Sequence, residues 1–168
     1  MELWDAYFRD GTPADCDLIR GKSVPEGLYH LVSEIVVQHI DGDFLIMQRD
    51  FNKSIHLGKY EITAGGSVTK GENALEGAVR ELFEETGIKA DNLKFEYTEI
   101  SDVHHSIFNM YYCLTDCDKS SVMLQKGETI AYKWISLNDL IKDIKRNPEN
   151  FCTIGRLKKC TVFNNSGL

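Results

Sequence analysis

The chain has 168 residues, 19 of them Lys or Arg and 26 Asp or Glu, for a formal net charge of −7. That length suits one domain over 1–168 with a sizeable single core, and an acidic chain with scattered basic residues is a poor binder of long nucleic acid. No apolar run is long enough to span a bilayer, and MELWDAYFRDG lacks a basic region followed by an apolar one, so a soluble, unexported, cytoplasmic chain is expected.

Residues 1–27 read as an N-terminal extension or hairpin, with Asp10-Gly11 and Pro25 as turn punctuation. His30–Ile40 and Phe44–Gln48 are apolar, β-branched runs around Asp41-Gly42-Asp43, a hairpin signal. A short run at Tyr60–Thr63 leads into Gly65-Gly66. A helix is predicted from Ala74 to Thr86, because Asn73 and Glu76 form a capping-box pair and Gly87 suits a left-handed terminus. Leu93–Ile100, Ile107–Leu114 and Thr129–Ile135 read as strands, Ser136 as the N-cap of a helix from Leu137, and Phe151–Cys160 as a last helix. Strands interleaved with helices imply a layered α/β domain. The cysteines Cys16, Cys113, Cys117, Cys152 and Cys160 are odd in number and have no CxxC spacing, which argues against a disulfide framework or a zinc site and for a reducing compartment.

On the helix over 74–86, the 100° step puts Leu75, Ala78, Val79, Leu82 and Phe83 on one apolar arc and gathers Glu81, Glu84 and Glu85 opposite. The acidic arc is awkward by itself: Glu81 and Glu85 repel at i,i+4, and the helix C-terminus disfavours negative charge. One reading is a solvated acidic face. The other is a site for a hard divalent cation such as Mg²⁺, which takes oxygen ligands from one or two carboxylates and from substrate phosphates.

The segment Gly66, Glu72, Arg80-Glu81-Leu82, Glu84-Glu85, Gly87 and Ile88 fits G-x5-E-x7-R-E-U-x-E-E-x-G-U, with U a bulky aliphatic residue, and so resembles the Nudix box at every specified position. The rest of the chain resembles the family loosely, through strand order and the stretch Trp134-Ile135-Ser136-Leu137. The resemblance implies an α/β/α sandwich with a central mixed sheet, and hydrolysis of a diphosphate linkage in a small-molecule nucleoside diphosphate derivative. It makes Glu81, Glu84 and Glu85 ligands of Mg²⁺, for which Mn²⁺ can substitute, and gives Gly66 a backbone carbonyl toward the metal. Arg80 would pair with a box glutamate such as Glu72 and orient the cluster. The general base is left between Glu84 and Glu128, the latter in the loop before the strand at 129–135.

Other residues carry weaker stories. Val24-Pro25-Glu26-Gly27-Leu28-Tyr29-His30-Leu31 is similar to the entry region of isopentenyl-diphosphate isomerases, in which His30 would match a metal ligand. Gly65 and Ser67, however, stand where those enzymes have a catalytic cysteine and a second metal-binding histidine, so hydrolase is favoured over isomerase. A nucleotide-sensing domain without turnover is a third reading, and a homodimer is left open. Adjacent His104 and His105 point to opposite faces if extended, which makes them structural or exposed rather than one site. Trp4, Tyr7 and Phe8 are expected to pack, while Arg49 and Lys59 are weaker phosphate-binding candidates. The particular substrate is not legible.

Overall fold

Strand β3 (Leu28–His39) is apolar along most of its length because it is covered on both faces and paired on both edges. The computed structural model describes residues 1–90, 92–164 and 166–168. Within it, β3 pairs in parallel with β8 (Ser106–Thr115) and antiparallel with β6 (Thr63–Ser67). Antiparallel β7 (Lys94–Ser101) extends β8, giving the mixed order β7-β8-β3-β6. At Asp41-Gly42-Asp43 the chain turns into β4 (Phe44–Arg49), with Gln38 opposite Phe44 and Gly42 at φ 101°. Strand β4 then pairs with β5 (Tyr60–Glu61) and β9 (Thr129–Ile135). The N-terminal hairpin of β1 (Leu3–Phe8) and β2 (Pro13–Ile19) docks on the start of β3, Tyr7 opposite Tyr29.

Alternation along the strands divides the core into two layers. Ile35, Val37, Leu45 and Met47 pack with Ala78 and Leu82 of α1 (Ala74–Thr86). Val36, Phe44 and Ile46 point the other way, toward Leu140 and Ile144 of α2 (Leu137–Arg146) and toward Leu157 and Phe163 beyond it. The result is an α/β/α sandwich around a mixed sheet. No helix among the described residues is long and apolar enough to cross a membrane.

Helix α1 has the predicted ends. The Asn73 side chain accepts from the backbone N–H of Leu75 and Glu76, Glu76 accepts from the Asn73 N–H, and Gly87 closes the helix at φ 72°. Its faces differ from the sequence expectation. Leu75 and Phe83 are 43% and 44% exposed, whereas Gly77, Ala78, Leu82, Glu85 and Thr86 are buried. Gly77 is the reason: a Cβ there would come within 2.9 Å of the Val68 side chain, so the helix lies closest to the sheet along the 78/82/85 line rather than along 75/79/83. Glu85 therefore sits on the packed face.

The predicted last helix shrinks to one turn, α3 (Ile154–Leu157), between 3-10 turns at Pro148–Asn150 and Thr161–Phe163. Thr153 sits at φ 64°, Gly155 is a weak helix former, and Leu157, Cys160 and Phe163 follow the core surface instead of a regular period. Of the N-terminal aromatics, Trp4 packs, stacked on His30 with ring centroids 4.2 Å apart, while Phe8 is exposed. All five cysteines are free. Asn73→Ala removes the cap of α1 and is expected to cost about 1 kcal/mol in urea unfolding; an unchanged midpoint would contradict the capping assignment.

Candidate active site

Two glycines at the end of β6 hold the geometry. Gly65 has φ 152°, and a Cβ there would meet the Ser33 carbonyl oxygen at 2.1 Å, so no side chain fits. Its backbone N–H donates to Glu85 Oε2 at 2.9 Å. A Cβ on Gly66 would meet the Glu81 carboxylate carbon at 2.7 Å. The bare backbone at Gly66 thus makes room for Glu81.

Arg80 is fully engaged. Its Nε and Nη2 donate to the two oxygens of Glu72 at 2.8 and 2.9 Å, Nη1 donates to Glu81 at 2.7 Å and to Glu84 at 3.2 Å, and Nη2 also reaches the Ser67 carbonyl at 3.1 Å. The guanidinium beside Glu72 holds that carboxyl down at about 2. Glu72 also accepts from the Thr69 N–H at 3.1 Å, which ties the loop before α1 to the helix.

The two carboxylates against the glycines behave oppositely to Glu72. Burial, reinforced by the charges of Glu61, Glu81 and Glu128, pushes the Glu85 carboxyl up to about 8 against the opposing Gly65 N–H. Burial also raises Glu81, opposed by Arg80. Both line a cavity of about 230 Å³, together with Gly65, Gly66, Arg80, Glu84 and Glu128. Among the described residues, no three His, Cys, Asp or Glu side chains converge as a ready-made metal cage. The donors do fit a cation that keeps some ligands for substrate and water: two poorly solvated carboxylates sit against the adjacent glycines Gly65 and Gly66, in a pocket open to a phosphate-bearing ligand.

Glu128 reaches the cavity from the loop before β9, and its carboxylate is paired with Lys53. Arg49 pairs instead with Glu61 at 2.5 Å, and with His104 it lines a second cavity of about 260 Å³. His105 packs against Tyr29 and sets its Nδ1 3.2 Å from the Leu28 carbonyl oxygen, and Lys59 lines neither cavity. His30 is buried under Trp4, with its Nδ1 3.2 Å from the His105 carbonyl, and does not line the carboxylate cavity. With Gly65 unable to carry a side chain, the isomerase reading has neither its proton donor nor this ligand. Sequence reasoning missed Glu2, Arg20 and Gln125, which also line the cavity. Glu2 and Arg20 come from the N-terminal hairpin, whose position follows from pairing with β3 and leaves no local signal.

Comparison with known proteins gives the family. The NUDIX domain family model matches residues 29–154, and the chain belongs to the Nudix hydrolase family. A relative named an uncharacterized Nudix hydrolase, from Listeria monocytogenes, is 30% identical over 141 residues, covering 83% of each chain. The crystal structure of DR0079 from Deinococcus radiodurans superposes with a TM-score of 0.77 at 17% identity, over 95% of this chain and 99% of that one. A MutT protein from Methanosarcina mazei Go1 gives 0.57 at 26% identity, over 68% and 81%. Nudix hydrolases act in general on nucleoside diphosphate derivatives and generally use divalent metals.

Because the folded-state pKa of Glu85 lies above its ordinary value of 4.5, its contribution to stability is fully present below that value and is lost as pH rises through about 8. In chelator, the melting temperature should therefore fall between mildly acidic and mildly alkaline pH. Glu85→Gln should reduce that fall, and an equal fall in both proteins would contradict the buried, uncompensated state of Glu85.

Proposed function

We propose that the protein hydrolyses a diphosphate linkage in a nucleoside diphosphate derivative, with Mg²⁺, replaceable by Mn²⁺, held by Glu81, Glu85 and the Gly66 carbonyl, and with Glu84 near it. The observation that carries this reading is the pair of desolvated carboxylates fixed against Gly65 and Gly66 inside one cavity. A divalent cation held there supplies positive charge to the phosphate oxygens and makes a nearby water more acidic. Five free cysteines suit a reducing compartment, and we place the activity in the cytoplasm.

The chain's own residues supply the rest. Glu81 and Glu85 set the cation's position, because one is pinned by Arg80 and the other by the Gly65 N–H. Arg80 is a positioning residue: its donors are spent on Glu72, Glu81, Glu84 and the Ser67 carbonyl, which leaves none for substrate. Glu84 takes the proton of the attacking water as that oxygen bonds to phosphorus, and the bridging oxygen leaves with the other half of the diphosphate. Glu84 suits this task better than Glu128. Among the described residues its carboxylate meets only Arg80, in a long contact of 3.2 Å from a guanidinium shared with Glu72 and Glu81, whereas Glu128 is held in a close ion pair by Lys53.

Incubation with Mg²⁺ and a panel of nucleotides and nucleotide sugars, with products identified by mass, should show phosphate or monophosphate release. Glu85→Gln should abolish it while the protein stays folded, since glutamine keeps an acceptor for the Gly65 N–H. Tight binding without turnover by the wild type would overturn the enzyme in favour of a sensor. For the base, Glu84→Gln should lower kcat by roughly 10²–10⁴-fold beyond rescue by added metal, with Glu128→Gln near neutral. The reverse pattern would move the base to Glu128.

A further inference from the structure

The cavity wall holds five carboxylates, Glu2, Glu81, Glu84, Glu85 and Glu128, against two guanidinium groups, Arg20 and Arg80. A diphosphate adds more negative charge to this surface, so the positive groups decide whether it is retained. Each guanidinium has five N–H donors, and those of Arg80 are all directed at protein acceptors. Arg20 is differently placed. Just beyond the end of β2, its side chain is 57% exposed and makes one hydrogen bond, from Nη1 to Glu2 Oε2 at 2.7 Å. Its remaining donors meet no protein acceptor among the described residues. Glu81 and Glu128 lie close enough for their charges to act on it.

From this imbalance we infer that Arg20 is the substrate-phosphate anchor of the site, donating to oxygens of the bound diphosphate after exchanging its partner Glu2 for them. The exchange leaves no orphan, because Glu2 keeps the indole N–H of Trp4 at 2.9 Å. A guanidinium fork matches phosphate oxygens at least as well as a carboxylate, and often bidentately. Arg20 lies outside residues 29–154, the part matched by the family model, so this contact is a contribution of the N-terminal hairpin in this chain. The inference rests on the diphosphate reading of the cavity and deepens it by naming what holds the phosphates besides the cation.

An anchor that grips ground state and transition state alike changes KM more than kcat. With Mg²⁺ and a substrate turned over by the wild type, Arg20→Ala should raise KM roughly 10- to 100-fold with kcat changed little, and Arg20→Lys should fall between. Glu2→Gln removes the competing carboxylate and should lower KM, by up to roughly fivefold. A purely structural Arg20–Glu2 pair would instead make both variants worse in the same direction. Calorimetric binding of Mg²⁺-loaded methylenediphosphonate, which cannot be hydrolysed, should weaken in parallel with KM. If the wild type turns over substrate and Arg20→Ala keeps its KM within twofold, or loses kcat alone, the anchor is overturned while the hydrolase stands. If the wild type neither turns over nor binds any diphosphate, the hydrolase reading falls and the anchor with it.

Discussion

Helix α1 can lie against the end of β6 only because Gly66, which faces Glu81, and Gly77, which faces Val68, carry no side chains, and that approach draws two helix carboxylates out of water. The cost of desolvating Glu85 and Glu81 is offset in part by one backbone N–H and by Arg80. What remains uncompensated is a local excess of negative charge at the mouth of a cavity. A fold that maximised stability alone would place an apolar residue at position 85, on the line of Ala78 and Leu82. Retaining a buried acid there is the structural cost that a cation would reverse.

The rest of the architecture serves that contact. Because β3 is paired on both edges and packed on both faces, β6 is held at a fixed register, with Gly65 opposite Glu34 and Gly66 opposite Ser33. The Ser33 hydroxyl donates to the Ala74 carbonyl at 2.7 Å, which ties the start of α1 to the same strand. Glu72 and Arg80 then link the loop, the helix and the end of β6 in one network. From outside the sandwich, the N-terminal hairpin and the loop before β9 bring Arg20, Glu2 and Glu128 to the same opening. Residues distant in sequence thus share one cavity through strand pairing rather than through local spacing.

Local signals and distant ones differed in how readable they were. The ends of α1 were legible because capping is a contact between residues three or four apart, and Asn73, Glu76 and Gly87 state it directly. The hairpin at Asp41-Gly42-Asp43 was legible for the same reason, as was β9 up to Ser136. The buried face of α1 was misjudged because hydrophobicity alone put Phe83 inward, whereas the closeness permitted by Gly77 turned Glu85 in. The last helix was overextended because its apolar residues follow a curved core surface with no regular period. The box glutamates carried a family pattern that could be matched one by one, but the reach of Arg20 into the cavity depends on β1 pairing with β3, a contact no local pattern encodes.

We propose the desolvated pair Glu81 and Glu85 as a divalent-cation site. Titration of metal-free protein with Mn²⁺, followed by the loss of the free-ion paramagnetic resonance signal, tests it without any substrate. The account predicts saturable binding by the wild type that weakens at least about tenfold in Glu85→Gln. Equal Mn²⁺ affinity in the two proteins would contradict it.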